Sequence, residues 1–77
     1  MDTPELEGRY ANYFEVGYNA LEFVVNFGQV YEPGSEGRVH TRIITSPVYA
    51  KALIETLNES MKRYESSFGG VAKPIEG

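Results

Sequence analysis

The feature of this sequence that most constrains its fold is a helix whose start and end are both marked by suitable residues. Ser46 can accept a hydrogen bond from the first turn, and Pro47 suits the first helical position because the N–H it lacks would be unpaired there. Gly69 and Gly70 can supply a left-handed terminus. These signals predict one helix of about 33 Å, at roughly 1.5 Å per residue.

Within this segment the apolar side chains recur at steps of three and four residues, so they form one stripe along the helix. The members of this helix stripe are Ala50, Leu53, Ile54, Leu57, Met61, Tyr64 and Phe68. The opposite face carries charges at i,i+4 spacing, Lys51 with Glu55 and Glu59 with Arg63. Such pairs are typical of a solvated surface.

Before the helix the hydrophobic period changes to two, which predicts β-strands. Three segments alternate in this way, at residues 12–18, 23–31 and 38–45. A short connection at residues 19–21 and a Pro- and Gly-containing turn at residues 32–37 predict antiparallel pairing in chain order. The expected fold class is α+β: a three-stranded antiparallel meander sheet followed by one long C-terminal amphipathic helix packed on one face of the sheet.

A chain of 77 residues allows one domain, with a core near the lower limit for independent folding. We expect a flexible lead at residues 1–9, a single α+β domain at residues 10–69 and a flexible tail at residues 70–77. Because so small a core gains from further subunits, a homo-dimer or higher homo-oligomer is expected.

The alternation also predicts the character of the two sheet faces. The more apolar rows, which include Phe14, Val16, Phe23, Val25 and Phe27, are expected to meet the helix stripe. Since one helix covers only one face, the apolar side chains on the other face predict contact with another protein. The candidate interface or binding residues are Tyr13, Val24, Val30, Arg38, His40, Arg42 and Ile44.

Nucleic acid is the alternative partner. Arg38, His40 and Arg42 alternate along one strand, and a β-ribbon with such a row can enter a groove. Against this, the chain has 11 acidic and 7 basic residues and a net charge of −4, which repels a phosphate backbone. The arginines can equally pair with Glu15 or Glu22 across the sheet.

No pattern for catalysis or metal binding is visible in the sequence. It contains one histidine and no cysteine, and no base and nucleophile stand at a recognisable spacing. We therefore expect no enzymatic activity, no catalytic or metal-ligating residues and no cofactor. No signal-peptide pattern or membrane-spanning apolar run is present, so a cytoplasmic location without membrane binding is expected.

Three stretches, EFVVNFGQV, RVHTRIITSPVYAKAL and YESSFG, resemble a family of small, uncharacterised prokaryotic proteins known only as a domain of unknown function. The resemblance covers about residues 10–68, and its most specific part is the strand, Ser-Pro and helix junction. It implies no activity, substrate or site residues.

At the level of fold the predicted meander and helix also resemble SecB-type secretion chaperones, which assemble through both elements. That likeness implies the holding of a protein segment. The function expected from the sequence is a small non-enzymatic, homo-oligomeric protein-binding module with an adaptor, chaperone-like or assembly role.

Overall fold

The computed structural model describes residues 5–73, which form a three-stranded sheet followed by one helix. In chain order the elements are β1 (Tyr13–Tyr18), β2 (Phe23–Gln29), β3 (Arg38–Thr45) and α1 (Pro47–Phe68). The sheet is antiparallel with strand order β1-β2-β3. The predicted α+β meander with a C-terminal helix is confirmed. Residues 1–4 of the expected lead and 74–77 of the expected tail lie outside the described residues, and the domain bounds stay a prediction.

The turn between β1 and β2 is held by an asparagine side chain. Asn19 Oδ1 accepts hydrogen bonds from the backbone N–H groups of Leu21 at 2.8 Å and Glu22 at 2.9 Å. An asparagine side chain that satisfies the turn in this way brings the strand ends together. Tyr18 therefore lies opposite Phe23 at the closed end of the hairpin.

A β-bulge interrupts the pairing of β2 with β3. Phe27 lies opposite Thr41 and Gly28 lies opposite Val39, so His40 is the additional residue on β3. A Cβ at Gly28 would collide with the backbone carbonyl of Arg38, so the close approach at the bulge requires glycine. The bulge also shifts the alternation of β3 by one residue on its N-terminal side.

Helix α1 begins and ends as the sequence predicts. Ser46 Oγ accepts a hydrogen bond from the backbone N–H of Tyr49 at 3.3 Å, and Pro47 is the first helical residue. At the other end Gly69 has φ of 98°, and its N–H donates to the Glu65 carbonyl at 2.9 Å. Glycine adopts a positive φ without the steric cost that a side chain would add, so the backbone can leave the helical path at Gly69.

The expected packing of the helix on the sheet is wrong for a single chain. Along α1 only Ala50 is buried, while Leu57 is 59% exposed and Phe68 is 75% exposed. The physical reason lies in the junction, because Ser46 alone connects β3 to the helix. A residue before proline is restricted to extended backbone, and Ser46 has φ of −88° and ψ of 163°. The helix therefore leaves the sheet instead of turning back over its face.

The departing helix makes the chain less compact than a globular domain of this size. The Cα radius of gyration is 14.9 Å. A compact domain of about 70 residues has a radius of gyration of about 11 Å. Within residues 5–73 Ala50 is the only buried apolar side chain, so the described part of one chain lacks a hydrophobic core.

Candidate functional site

The most apolar surface of the sheet is the face that the helix was expected to cover. Its rows follow from the strand register, in which Phe14 lies opposite Phe27 and Val16 lies opposite Val25. Phe14 and Phe27 meet edge to face with ring centroids 5.7 Å apart. We call this surface the aromatic face and define it as Phe14, Val16, Tyr18, Phe23, Val25, Phe27 and Ile43.

The aromatic face is open to solvent at both edge strands. Phe14 and Val16 on β1 are each 58% exposed, and Ile43 on β3 is 50% exposed. The side chains of central strand β2 are only half-buried. Within residues 5–73 the helix does not cover this face, and at one end Glu7, Arg9 and Ala11 line a cavity together with Phe27 and Ile43. Continuous exposed apolar surfaces are a common feature of binding sites in proteins.

The opposite face carries a chain of hydrogen bonds across all three strands. Arg42 Nε donates to Asn26 Oδ1 at 2.8 Å, and Asn26 Nδ2 donates to Glu15 Oε1 at 3.4 Å. These three residues are in register, Glu15 opposite Asn26 and Asn26 opposite Arg42. We call this surface the polar-ladder face. The ladder joins β1, β2 and β3 through side chains and engages one of the five guanidinium N–H donors of Arg42.

Tyr13 extends the ladder at the open end of β1. Its hydroxyl donates to the second carboxylate oxygen of Glu15 at 2.5 Å. This hydrogen bond, followed by smaller effects of burial and of the negative charges of Glu15 and Glu36, raises the pKa of Tyr13 above its ordinary value. The protonated phenol is thus part of the structure at neutral pH.

The helix stripe is the second exposed apolar surface. Leu53 and Met61 are 44% and 47% exposed, and the rings of Tyr64 and Phe68 lie 4.9 Å apart, which places them on the same side of α1. Its residues contact one another along the helix and leave their outer surface open.

The strand register separates the candidate residues predicted from the sequence. Tyr13, Val24, Arg42 and Ile44 lie on the polar-ladder face, as expected. Because of the bulge, Arg38 pairs with Gln29 and falls on the side opposite Arg42. The prediction of one basic row formed by Arg38, His40 and Arg42 therefore needs correction.

Val30 and His40 form hydrogen bonds that connect the segment before β1 to the other two strands. Val30 follows β2, and its N–H and carbonyl both bond to the side-chain amide of Asn12, at 2.7 Å and 3.1 Å. His40 Nε2 donates to the Tyr10 carbonyl at 3.0 Å, which leaves Nδ1 to accept from the Thr41 hydroxyl at 2.7 Å. The Nε2 bond holds the segment before β1 against β3, while the Nδ1 bond orients the ring within β3.

Residues 1–73 match the sequence pattern of a family described as Protein of unknown function (DUF3467). This chain belongs to that family. The resemblance read from the strand, Ser-Pro and helix junction is thus confirmed. No curated protein and no solved structure matches the chain. The likeness to SecB-type chaperones stays a prediction.

Sequence reasoning missed that this DUF3467 chain leaves both its aromatic face and its helix stripe exposed. It paired the two surfaces with each other because their hydrophobic patterns are complementary. The signal against that pairing was the length of the junction, since one residue before Pro47 is too short a connection for the helix to reverse over the sheet.

No group of three or more side chains from His, Asp and Glu is placed to hold a metal ion within residues 5–73 of the DUF3467 chain. No helix among the same residues has the length and apolarity needed to cross a membrane.

Proposed function

We propose that this chain is a subunit of a non-enzymatic homo-oligomer that binds other proteins, in an adaptor, chaperone-like or assembly role. The observation that carries the proposal is that the aromatic face and the helix stripe are both exposed in the single chain. A sequence with 42% hydrophobic residues gains stability mainly by burying them. Partner chains provide the burial that one chain does not.

The amount of exposed surface supports the same conclusion. The chain has an accessible surface of 7302 Å² at a mass of 8.6 kDa. A compact monomer of that mass exposes about 4,700 Å², so the excess is about 2,600 Å². Obligate homodimers bury roughly 2,000–5,000 Å² over both partners. The excess is large enough for an extensive interface and a further binding surface.

We assign the two surfaces different partners. The helix stripe is narrow and suits self-association, whereas the aromatic face is wide, made of three strands and bounded by the free edges of β1 and β3. An extended apolar segment of another protein can lie on such a face or add a strand to its edge. The net charge of −4 favours segments with basic flanks.

Nucleic-acid binding through the Arg38–Arg42 strand is the alternative, and the geometry lends it less support. The register puts Arg38 and Arg42 on opposite sides of the sheet, and Arg42 Nε donates to Asn26 Oδ1. A phosphate-binding row needs several free cations on one surface. The alternative is therefore kept as an outcome of the experiment below.

The first measurement is the mass by light scattering at micromolar concentration, where we expect at least a dimer of the 8.6 kDa chain. The second is the suppression of aggregation of a heat-denatured reporter enzyme. Two variants are matched in exposure on opposite faces, Val16→Asp at 58% and Ile44→Asp at 59%. We expect Val16→Asp to abolish the effect and Ile44→Asp to retain it, provided that both variants keep the wild-type mass.

Three results would count against this assignment. A monomer mass would contradict the homo-oligomer. Loss of activity in Ile44→Asp but not in Val16→Asp would move the protein-binding surface to the polar-ladder face, where the sequence analysis placed it. A salt-sensitive gel shift with DNA or RNA, lost in Arg38→Ala/Arg42→Ala while mass and melting are unchanged, would favour the alternative.

A further inference from the structure

We infer that the helix stripe binds α1 of a second copy in an antiparallel arrangement, with Lys51 of one chain beside Glu65 of the other. This inference rests on the proposed homo-oligomer and specifies its contact. The occupant is a second copy of this chain, and the arguments for it are the spacing of the stripe, its side-chain sizes and its charges.

The spacing of the stripe favours a helix as the occupant. From Ala50 to Phe68 the apolar side chains follow steps of four, three, four, three and four residues, which is the heptad spacing of a coiled coil. The seam formed in this way is Ala50, Ile54, Leu57, Met61, Tyr64 and Phe68. A helix that packs on a sheet needs a broader apolar face than this seam. Leu53 is the one stripe residue that lies beside the seam, so the apolar face of α1 is narrow, as in a coiled coil.

The sizes of the side chains favour the antiparallel direction. When two copies of α1 overlap along their whole length, Ile54 meets Tyr64 and Leu57 meets Met61 of the second copy. Ala50 is already buried in its own chain, so the contact with the second copy is made by Ile54, Leu57, Met61, Tyr64 and Phe68. Because the dimer has two-fold symmetry, each facing pair occurs twice. The facing pairs have similar summed volumes along the two helices, as well-packed interiors require.

The charges beside the seam favour the same register. Lys51 and Glu65 each directly follow a seam residue, so both lie on the same flank of α1. The antiparallel overlap sets Lys51 beside Glu65 of the second copy, twice in the dimer. A parallel pair would instead set Lys51 beside Ser46 and Glu65 beside Ser60, with no opposite charges.

Both charges are available for this contact. Within residues 5–73 the ion pair formed is Arg63 with Glu59 at 2.7 Å, and the Lys51–Glu55 pair expected from the sequence is not made. Glu65 Oε2 accepts the backbone N–H of Val71 at 2.9 Å, which leaves the other carboxylate oxygen for a cation.

A charge-reversal series tests the pairing through the dissociation constant, measured by sedimentation at low salt. We expect Lys51→Glu to weaken self-association roughly tenfold, because two attractive pairs become repulsive, and Lys51→Glu/Glu65→Lys to restore it. The matched control is Lys51→Glu/Glu55→Lys, which restores opposite charges within one helix only. That control should remain as weak as Lys51→Glu.

The direction of the helices can be measured independently, because the chain has no cysteine and a single one can be introduced for a spin label. In the antiparallel register, labels at Ser60→Cys are offset by only about 3 Å along the helix axis, and labels at Ser66→Cys by about 21 Å. We expect a short distance for the first variant and a long one for the second.

The outcomes separate this inference from the proposed function. A monomer at every concentration overturns both. An oligomer in which Glu55→Lys rescues Lys51→Glu and Glu65→Lys does not overturns the helix pairing alone. Equally short label distances at both positions would show parallel helices, and long distances at both would show that the stripe binds elsewhere, such as on the aromatic face of the second copy.

Discussion

At the scale of single residues, the hydrogen bond from Tyr13 to Glu15 makes the sheet sensitive to alkaline pH. The pKa of Tyr13 is raised in the folded chain, so the bond contributes its full stability below the ordinary tyrosine pKa of about 10. The contribution is lost as the pH rises through the raised pKa, because the phenolate no longer donates and is repelled by the carboxylate.

We therefore predict that one of the tyrosines titrates later than the others in an absorbance titration, and that this late phase is missing in Tyr13→Phe. Glu15→Gln should move the phase back toward the ordinary pKa, since the neutral amide removes the repulsion. Tyr18→Phe, which changes a tyrosine stacked on Phe23, is the control. If it removed the late phase, the assignment to Tyr13 would be incorrect.

Gly28 is the residue on which the bulge depends. A Cβ there would strike the backbone of Arg38, whereas a Cβ at Gly17 meets nothing within 4 Å. We predict that Gly28→Ala lowers the free energy of unfolding by about 1–3 kcal/mol and that Gly17→Ala leaves it unchanged or raises it by about 0.4–1 kcal/mol. Urea unfolding of the two variants checks this, and equal effects would mean that the bulge tolerates a side chain.

At the scale of elements, α1 is the part that gains most from the proposed self-association. An isolated helix is marginal in water, and most helical stability in proteins comes from packing of the apolar face. In the single chain α1 contributes only Ala50 to the interior. The capping by Ser46 and Gly69 defines where the helix begins and ends, while its persistence depends on what covers the stripe.

We predict that Leu57→Ala destabilises the assembled protein by about 2–5 kcal/mol, which is the cost of removing a buried leucine side chain. Val48→Ala is the control, since Val48 is 74% exposed and lies off the stripe; its effect should stay within about 0.5 kcal/mol. Thermal melts at one concentration compare the two. A shift as small as that of the control would show that Leu57 faces solvent in the assembly.

At the scale of the whole molecule, the proposed homo-oligomer links folding to assembly. If the core forms only between chains, unfolding also dissociates the oligomer, and the melting temperature depends on protein concentration. We predict a rise of a few degrees for each tenfold increase between about 1 and 100 μM. A melting temperature that stays constant over this range would show that one chain is stable by itself.

How far the sequence predicted the structure can be seen at particular residues. The strands and the helix were predictable because alternation, the Ser46 cap, Pro47 and Gly69 act over a few neighbouring residues. The polar-ladder face was partly predictable, since Tyr13, Val24, Arg42 and Ile44 share it as expected. The apolar rows that form the aromatic face were predicted, but the helix stripe that was expected to cover them does not.

The sequence by itself determined the type and order of the elements and the ends of the helix, since those depend on local backbone preferences and side-chain periodicity. Only the tertiary structure decided three further features: the bulge at His40 that separates Arg38 from Arg42, the hydrogen-bonded row of side chains from Glu15 to Arg42, and the departure of the helix from the sheet. The first two depend on register between residues distant in sequence. The third depends on one extended residue at Ser46, whose φ and ψ set the direction of every residue after it.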